Sequence, residues 1–220
     1  VEYVEDKPWG GYNWFQGDSY SLIQVNMDLP IQIDRAVDLG CHEGYPGHHA
    51  YNALLEDRLV KGRGWVEYSV YALNSPQSLI AEGTANYGTE MAFPGDTRSR
   101  YEREVLFPMA GLDAAEADRY YQLQKLLGRM TYASNEVARR YLDGEFTREE
   151  AIQWLIDYRL RTRERAEKDL DFIDAYRGYV INYNVGRDMV RDYIEAIGDD
   201  QQWAAFVELL STPRLPGDLQ

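Results

Sequence analysis

Three observations predict a mainly α protein with a small β element near the N-terminus. From about residue 97 onward, apolar residues recur at three-to-four spacing, the period of an amphipathic helix. A single short segment, Ser21 to Met27, alternates well enough for a strand. Pro-Gly pairs at 46–47 and 94–95 interrupt the intervening helical patterns.

Taken in order, residues 1–20 are rich in glycine and aromatics (Trp9, Gly10, Gly11, Tyr12, Trp14, Phe15) without clear periodicity and read as ordered loop. Ser21 to Met27 reads as a strand at a sheet edge. Residues 33–43 and 46–60 read as two helical pieces meeting at Pro46–Gly47. Val66 to Leu73 reads as a short strand or extended loop. Pro76 opens a helix that Phe93-Pro94-Gly95-Asp96 ends. Helices are expected over 97–108, 113–142, 147–174 and 178–197. Thr147-Arg148-Glu149-Glu150 has the form of a capping box ahead of an apolar face. The charge run Arg159 to Lys168 reads as a solvated helix face, and Thr212 to Gly217 as a disordered tail. There is no internal repeat and no glycine-rich phosphate loop.

All three histidines fall within Cys41-His42-Glu43-Gly44-Tyr45-Pro46-Gly47-His48-His49. Imidazoles are the usual zinc ligands, and a glutamate beside the first is where a metallohydrolase keeps its general base. The spacing is unusual. In H-E-x-x-H the two histidines lie one helical turn apart. Six residues, from His42 to His48, turn a straight helix through about 240°, so the two would diverge. Seven residues, to His49, restore the direction but add a rise of about 10.5 Å, too long for two bonds of about 2 Å to one ion. The site therefore requires an interrupted helix. Pro46 and Gly47 supply the interrupters, so that Gly44 to Gly47 loop out and His48 returns beside His42. His48 and His49 remain alternatives for the second ligand, with His48 preferred. The third ligand is expected at Glu82, within Leu79-Ile80-Ala81-Glu82-Gly83-Thr84-Ala85-Asn86-Tyr87, where Gly83 and Ala85 would allow a close helix approach.

The segment His42 to His49 resembles the H-E-x-x-P-G-H-H signature of domain-of-unknown-function family 885, mostly helical proteins regarded as zinc metallopeptidases. Ala81-Glu82-Gly83-Thr84-Ala85-Asn86-Tyr87-Gly88-Thr89-Glu90 resembles the N-E-G-x-A-x-Y-x-E element of the aminopeptidase N family, which implies Glu82 as third zinc ligand in a gluzincin-like site. Arg139 to Gly144 with Thr147 to Ala151, and Tyr183-Asn184-Val185-Gly186, resemble further parts of family 885. The resemblance runs from about residue 20 to 195. The chain departs from that family in lacking a histidine shortly after Asp143 and in carrying Arg187 after Gly186. In a hydrolase, Tyr183 of the element that resembles family 885 is the candidate oxyanion donor, with Arg187 one turn on as a candidate clamp for a substrate carboxylate and His49 either behind the ligands or as a substrate contact.

Length bounds the chain at one domain or a domain plus an appendage. It reads as a single catalytic domain over 1–220, with loop and edge strand at 1–31, metal-site helices at 32–95 and a helical bundle at 96–210. Because it opens on Val1, it reads as the C-terminal part of a longer protein. A formal net charge of −14 argues against binding nucleic acid or an anionic membrane. No run reaches the roughly 20 apolar residues of a membrane span, and no signal peptide is visible. A soluble protein is expected, the cytoplasm slightly favoured, with an export signal free to lie outside this segment. Cys41 is the only cysteine, which excludes an internal disulfide, and it reads as a small core residue.

Two functions fit. The first is a zinc-dependent hydrolase of peptide or small amide substrates, with His42, His48 and Glu82 on the metal and Glu43 as base. The second is a non-catalytic helical binding or scaffold module with a structural or vestigial metal, whose closed site would need a fourth donor such as His49.

Overall fold

The computed structural model describes all 220 residues, Val1 to Gln220. It is mainly helical, with a three-stranded sheet at the N-terminus. The strands are β1 (Glu2–Val4), β2 (Gly11–Gly17) and β3 (Tyr20–Asn26). The helices are α1 (Asp34–Leu39), α2 (His48–Leu55), α3 (Gln77–Ala92), α4 (Thr97–Tyr101), α5 (Phe107–Met109), α6 (Ala117–Gly128), α7 (Ala133–Leu142), α8 (Arg148–Arg159), α9 (Arg163–Tyr176), α10 (Ile181–Glu195) and α11 (Gln202–Ser211).

Residues 1–20 form two strands rather than a loop. β2 and β3 pair antiparallel, Trp14 opposite Leu22, and β1 runs parallel to β3 on its other side. The expected strand is thus the central one of the sheet, and the edges are β1 and β2. The β2–β3 turn places Asp18 and Ser19 at φ 49° and 57°. Two successive positive φ values match the right-handed twist of paired strands, which is why such turns make tight hairpins. The turn is tethered from outside, since Glu56 accepts from the Asp18 amide at 2.9 Å.

The chain divides into two compact units. The first comprises Val1–Glu5, Gly10–Gly95 and Asn182–Gln220. Its core is built from Tyr51 and Leu55 of α2, Leu59 just after it, Ile80 and Met91 of α3, Val190 and Ile194 of α10, and Phe206, Leu209 and Leu210 of α11. The tail is ordered, with a 3-10 turn at Pro216–Leu219 that buries Leu219 against the same core. Cys41 is buried, as expected of a small core residue. Of the segment Val66 to Leu73, Val66–Ser69 is a 3-10 turn, and the chain leaves it extended at Val70 without forming a strand.

The second unit comprises Asp6–Trp9 and Asp96–Ile181. Val137, Ala138, Ala151, Ile152, Leu155, Ala166, Leu170 and Ile173 form its core between α7, α8 and α9. Two of the expected long helices are each broken once. Residues 113–142 break at 129–132, where i to i+3 hydrogen bonds tighten the turn and the Thr131 hydroxyl donates to the Gly128 carbonyl. Residues 147–174 break at Leu160, which is left-handed at φ 51°, and the Thr162 hydroxyl caps the new start by accepting from the Arg165 amide. That break falls inside the run Arg159 to Lys168, which is therefore not one continuous helix face. The Thr147 capping box is present in both halves.

Candidate metal centre

The helix entering the histidine cluster is interrupted. α1 gives way to a π-wound turn at Gly40–Gly44 that carries His42 and Glu43, then to the bend Tyr45–Gly47, and α2 restarts at His48. The Tyr45–Pro46 peptide is cis. The Gly47 amide donates back to the Cys41 carbonyl at 2.9 Å, closing the bend on itself. A side chain at Gly47 would not fit, because a Cβ there would lie 2.0 Å from the His42 carbonyl oxygen. The interruption thus begins four residues earlier than the Gly44–Gly47 excursion the spacing suggested. The π winding adds a residue to the turn, which alters the rotation between His42 and His48.

α3 supplies the acid. It approaches α10 at a glycine pair, where a Cβ on Gly83 would sit 2.5 Å from the Gly186 carbonyl oxygen and one on Gly186 would sit 2.5 Å from that of Leu79. Backbones this close exclude any side chain at either position, which accounts for Gly186 in the Tyr183–Gly186 element. Pro46 of the bend packs over Gly88, where a Cβ would meet its Cγ at 2.9 Å. The bend, α3 and α10 are thereby held against one another.

The structure brings His42, His48 and Glu82 together. His42 Nε2 lies 3.2 Å from Glu82 Oε2, and His48 Nε2 lies 3.3 Å from Glu82 Oε1. The ligand atoms of the three residues are all within 4.8 Å of one another. Two bonds of about 2.0–2.1 Å at the tetrahedral angle separate ligand atoms by about 3.3 Å, which is the size of the two His–Glu separations. The group is able to hold a metal ion. Burial alone would lower the His42 imidazole, but the Glu82 carboxylate against it, with Glu43 nearby, raises it to about 9. Burial alone would raise the Glu82 carboxyl, and the two imidazoles outweigh that and hold it well below the usual carboxylate range.

Glu43 is buried next to the cluster but is not one of the three converging residues. Its carboxylate packs over β2, where a Cβ on Gly11 would lie 3.0 Å from its Oε1. Asn13 of the same strand donates from Nδ2 to the Glu43 carbonyl at 2.5 Å. The edge strand beside this turn is therefore β2, not the central β3. His49 does not join the cluster. Its Nδ1 pairs with Ser21 Oγ at 2.8 Å, and the Tyr45 ring stands edge-on to it with centroids 4.8 Å apart. Tyr183 is close, its ring stacked on His42 at 6.2 Å between centroids. Arg187 is held by Asp188, with Nη2 donating to Oδ1 at 2.8 Å.

One residue of the site escaped the sequence reading. Asn86, one turn after Glu82, places Oδ1 3.1 Å from His42 Nδ1 and donates from Nδ2 to the Tyr183 carbonyl at 2.9 Å. Its i+4 spacing from Glu82 is the signal the sequence carries, and a neutral amide does not stand out as a metal ligand.

Comparison of the chain with protein-family models, with curated proteins and with solved structures finds no match. No helix is long and apolar enough to cross a membrane.

Proposed function

We propose that the protein is a zinc-dependent hydrolase of peptide or small amide bonds. The observation that carries this reading is the convergence of His42, His48 and Glu82, with the buried Glu43 beside the first ligand and outside the ligand group. The likeness of His42 to His49 to the family 885 signature supports it. A zinc ion held by the three residues would polarise a carbonyl and lower the pKa of a water towards about 7.

The chain's own groups do the rest. Glu43 accepts the proton of the attacking water and passes it to the leaving nitrogen. Tyr183, beside His42, is the donor assigned to the developing oxyanion. His42, His48 and Glu82 would hold the ion, and three protein ligands are the number a catalytic zinc site takes. The scaffold reading would need a closed fourth ligand. The nearest extra imidazole, His49, is engaged with Ser21, and that favours the hydrolase.

The test is Glu43→Gln, which keeps the shape of the side chain but cannot take the proton. Zinc content should match the wild type, while cleavage of a peptide library should fall by roughly 100- to 10,000-fold. Loss of zinc in this variant would make Glu43 a ligand. A zinc-loaded wild type that cleaves no peptide or amide would sink the reading.

A further inference from the structure

We infer that Asn86 is a positioning residue that selects which nitrogen of His42 faces the metal. This rests on the zinc reading above and adds a residue to it.

The argument runs through hydrogen-bond chemistry. A main-chain carbonyl can only accept, so the Asn86 group 2.9 Å from the Tyr183 oxygen must be the NH₂. The side-chain oxygen of Asn86 is then the atom 3.1 Å from His42 Nδ1. An amide oxygen can only accept, so Nδ1 must carry a proton. A neutral imidazole protonated at Nδ1 has its lone pair at Nε2. Nε2 is the atom that lies 3.2 Å from Glu82 Oε2, among the converging ligands. The order of cause is therefore the Tyr183 carbonyl, the amide orientation of Asn86, the tautomer of His42 and the ligand atom.

The Gly83–Gly186 approach brings the Tyr183 carbonyl within reach of α3, so the ligand is set by the same helix contact that places Tyr183 beside His42. An amide serves here without adding charge. Glu43 and Glu82 already bear on His42, and a carboxylate at 86 would be a third acid beside it. Partners of this kind fix ring orientation in metal sites, and their loss typically costs about 10- to 100-fold in metal affinity.

The test compares Asn86→Leu with Asn86→Asp in the full chain. Zinc affinity is read by competition with a chromophoric chelator, and the metal-bearing nitrogen of His42 by nitrogen NMR of the ring. Asn86→Leu removes the acceptor and should weaken zinc binding by about 10- to 100-fold, with zinc no longer confined to Nε2. Asn86→Asp keeps an acceptor and loses the donor to Tyr183, so it should stay much closer to wild type and keep Nε2 ligation. Equal affinity in wild type and Asn86→Leu would overturn the inference and leave the zinc reading standing. An equal loss in both variants would also overturn it, reducing Asn86 to a bridge between helices. A wild type that takes up no zinc would remove the proposed function and this inference together. Should Asn86→Leu fail to fold, Asn86→Ser, too short to reach His42, makes the same comparison.

Discussion

The first unit buries Glu43, His49, Ser78, Glu82, Thr84, Thr89, Asn184 and Ser211, whereas the second buries a single charged or polar side chain, Glu102. Burying polar groups is costly unless they are partnered, so a chain concentrates them where they serve something. In the second unit the exception is well satisfied. Glu102 accepts from Arg98 Nε at 2.8 Å and from the Tyr121 hydroxyl at 2.6 Å. Many of the second unit's other charges sit in exposed ion pairs such as Arg163–Glu149 and Arg148–Asp171. In the first unit Thr84 and Ser211 donate to carbonyls of their own helices, but Glu82 lies between His42 and His48 with Glu43 buried nearby, and glycines at 47, 83 and 186 remove the side chains that would hold the backbones apart. Both units have an apolar core, and the first also carries a buried cluster of titratable groups.

That contrast can be broken by substitution. The largest expected effect on stability is in the second core. Leu170 is fully buried, and Leu170→Ala should cost about 2–5 kcal/mol by loss of burial and the cavity left behind. Chemical denaturation measures the loss, and zinc content should be unchanged. A loss of zinc in this variant would show that the two units are not functionally separable. A comparable energy should appear in the first unit only during turnover. Tyr183→Phe keeps the ring against His42 and removes the donor, so kcat should fall by roughly 100- to 1,000-fold, or about 2.7–4 kcal/mol, with melting temperature and zinc content little changed. Near-normal kcat would make Tyr183 a packing residue and direct the search to Tyr87 and Arg187. The smallest effect is at Thr147, whose capping box starts α8. Thr147→Ala should destabilise by about 0.5–2 kcal/mol in thermal unfolding and leave turnover unaffected.

The two units also differ in how far they were legible from sequence. Helix content came through in both, because a 3.6-residue apolar period is a local signal. The breaks did not. Leu160 adopts a left-handed conformation that its residue type does not advertise, and only the Thr162 cap hints that a helix restarts there. The hairpin of β2 and β3 was hidden because Asp18-Ser19 is a weaker turn signal than the Asn-Gly or Asp-Gly pairs typical of such turns. Strand order is set by pairing between distant segments, and an alternating pattern in β3 does not say whether it lies at an edge or in the centre. At the candidate site, the need for an interrupted helix followed from the six-residue interval alone. The π winding at Gly40–Gly44 has no comparable signature in residue type. Asn86 acts through a partner 97 residues away, which no local reading reaches.

The central claim is that His42, His48 and Glu82 hold one zinc ion. It is tested most directly by measuring zinc per chain in untagged protein, wild type against Glu82→Ala, by elemental analysis after exhaustive dialysis. A tetrahedral site with three protein ligands predicts about one zinc per chain in the wild type and almost none when the carboxylate between the two imidazoles is removed. Equal zinc in both proteins would take Glu82 out of the ligand set, and a zinc-free wild type would contradict the account as a whole.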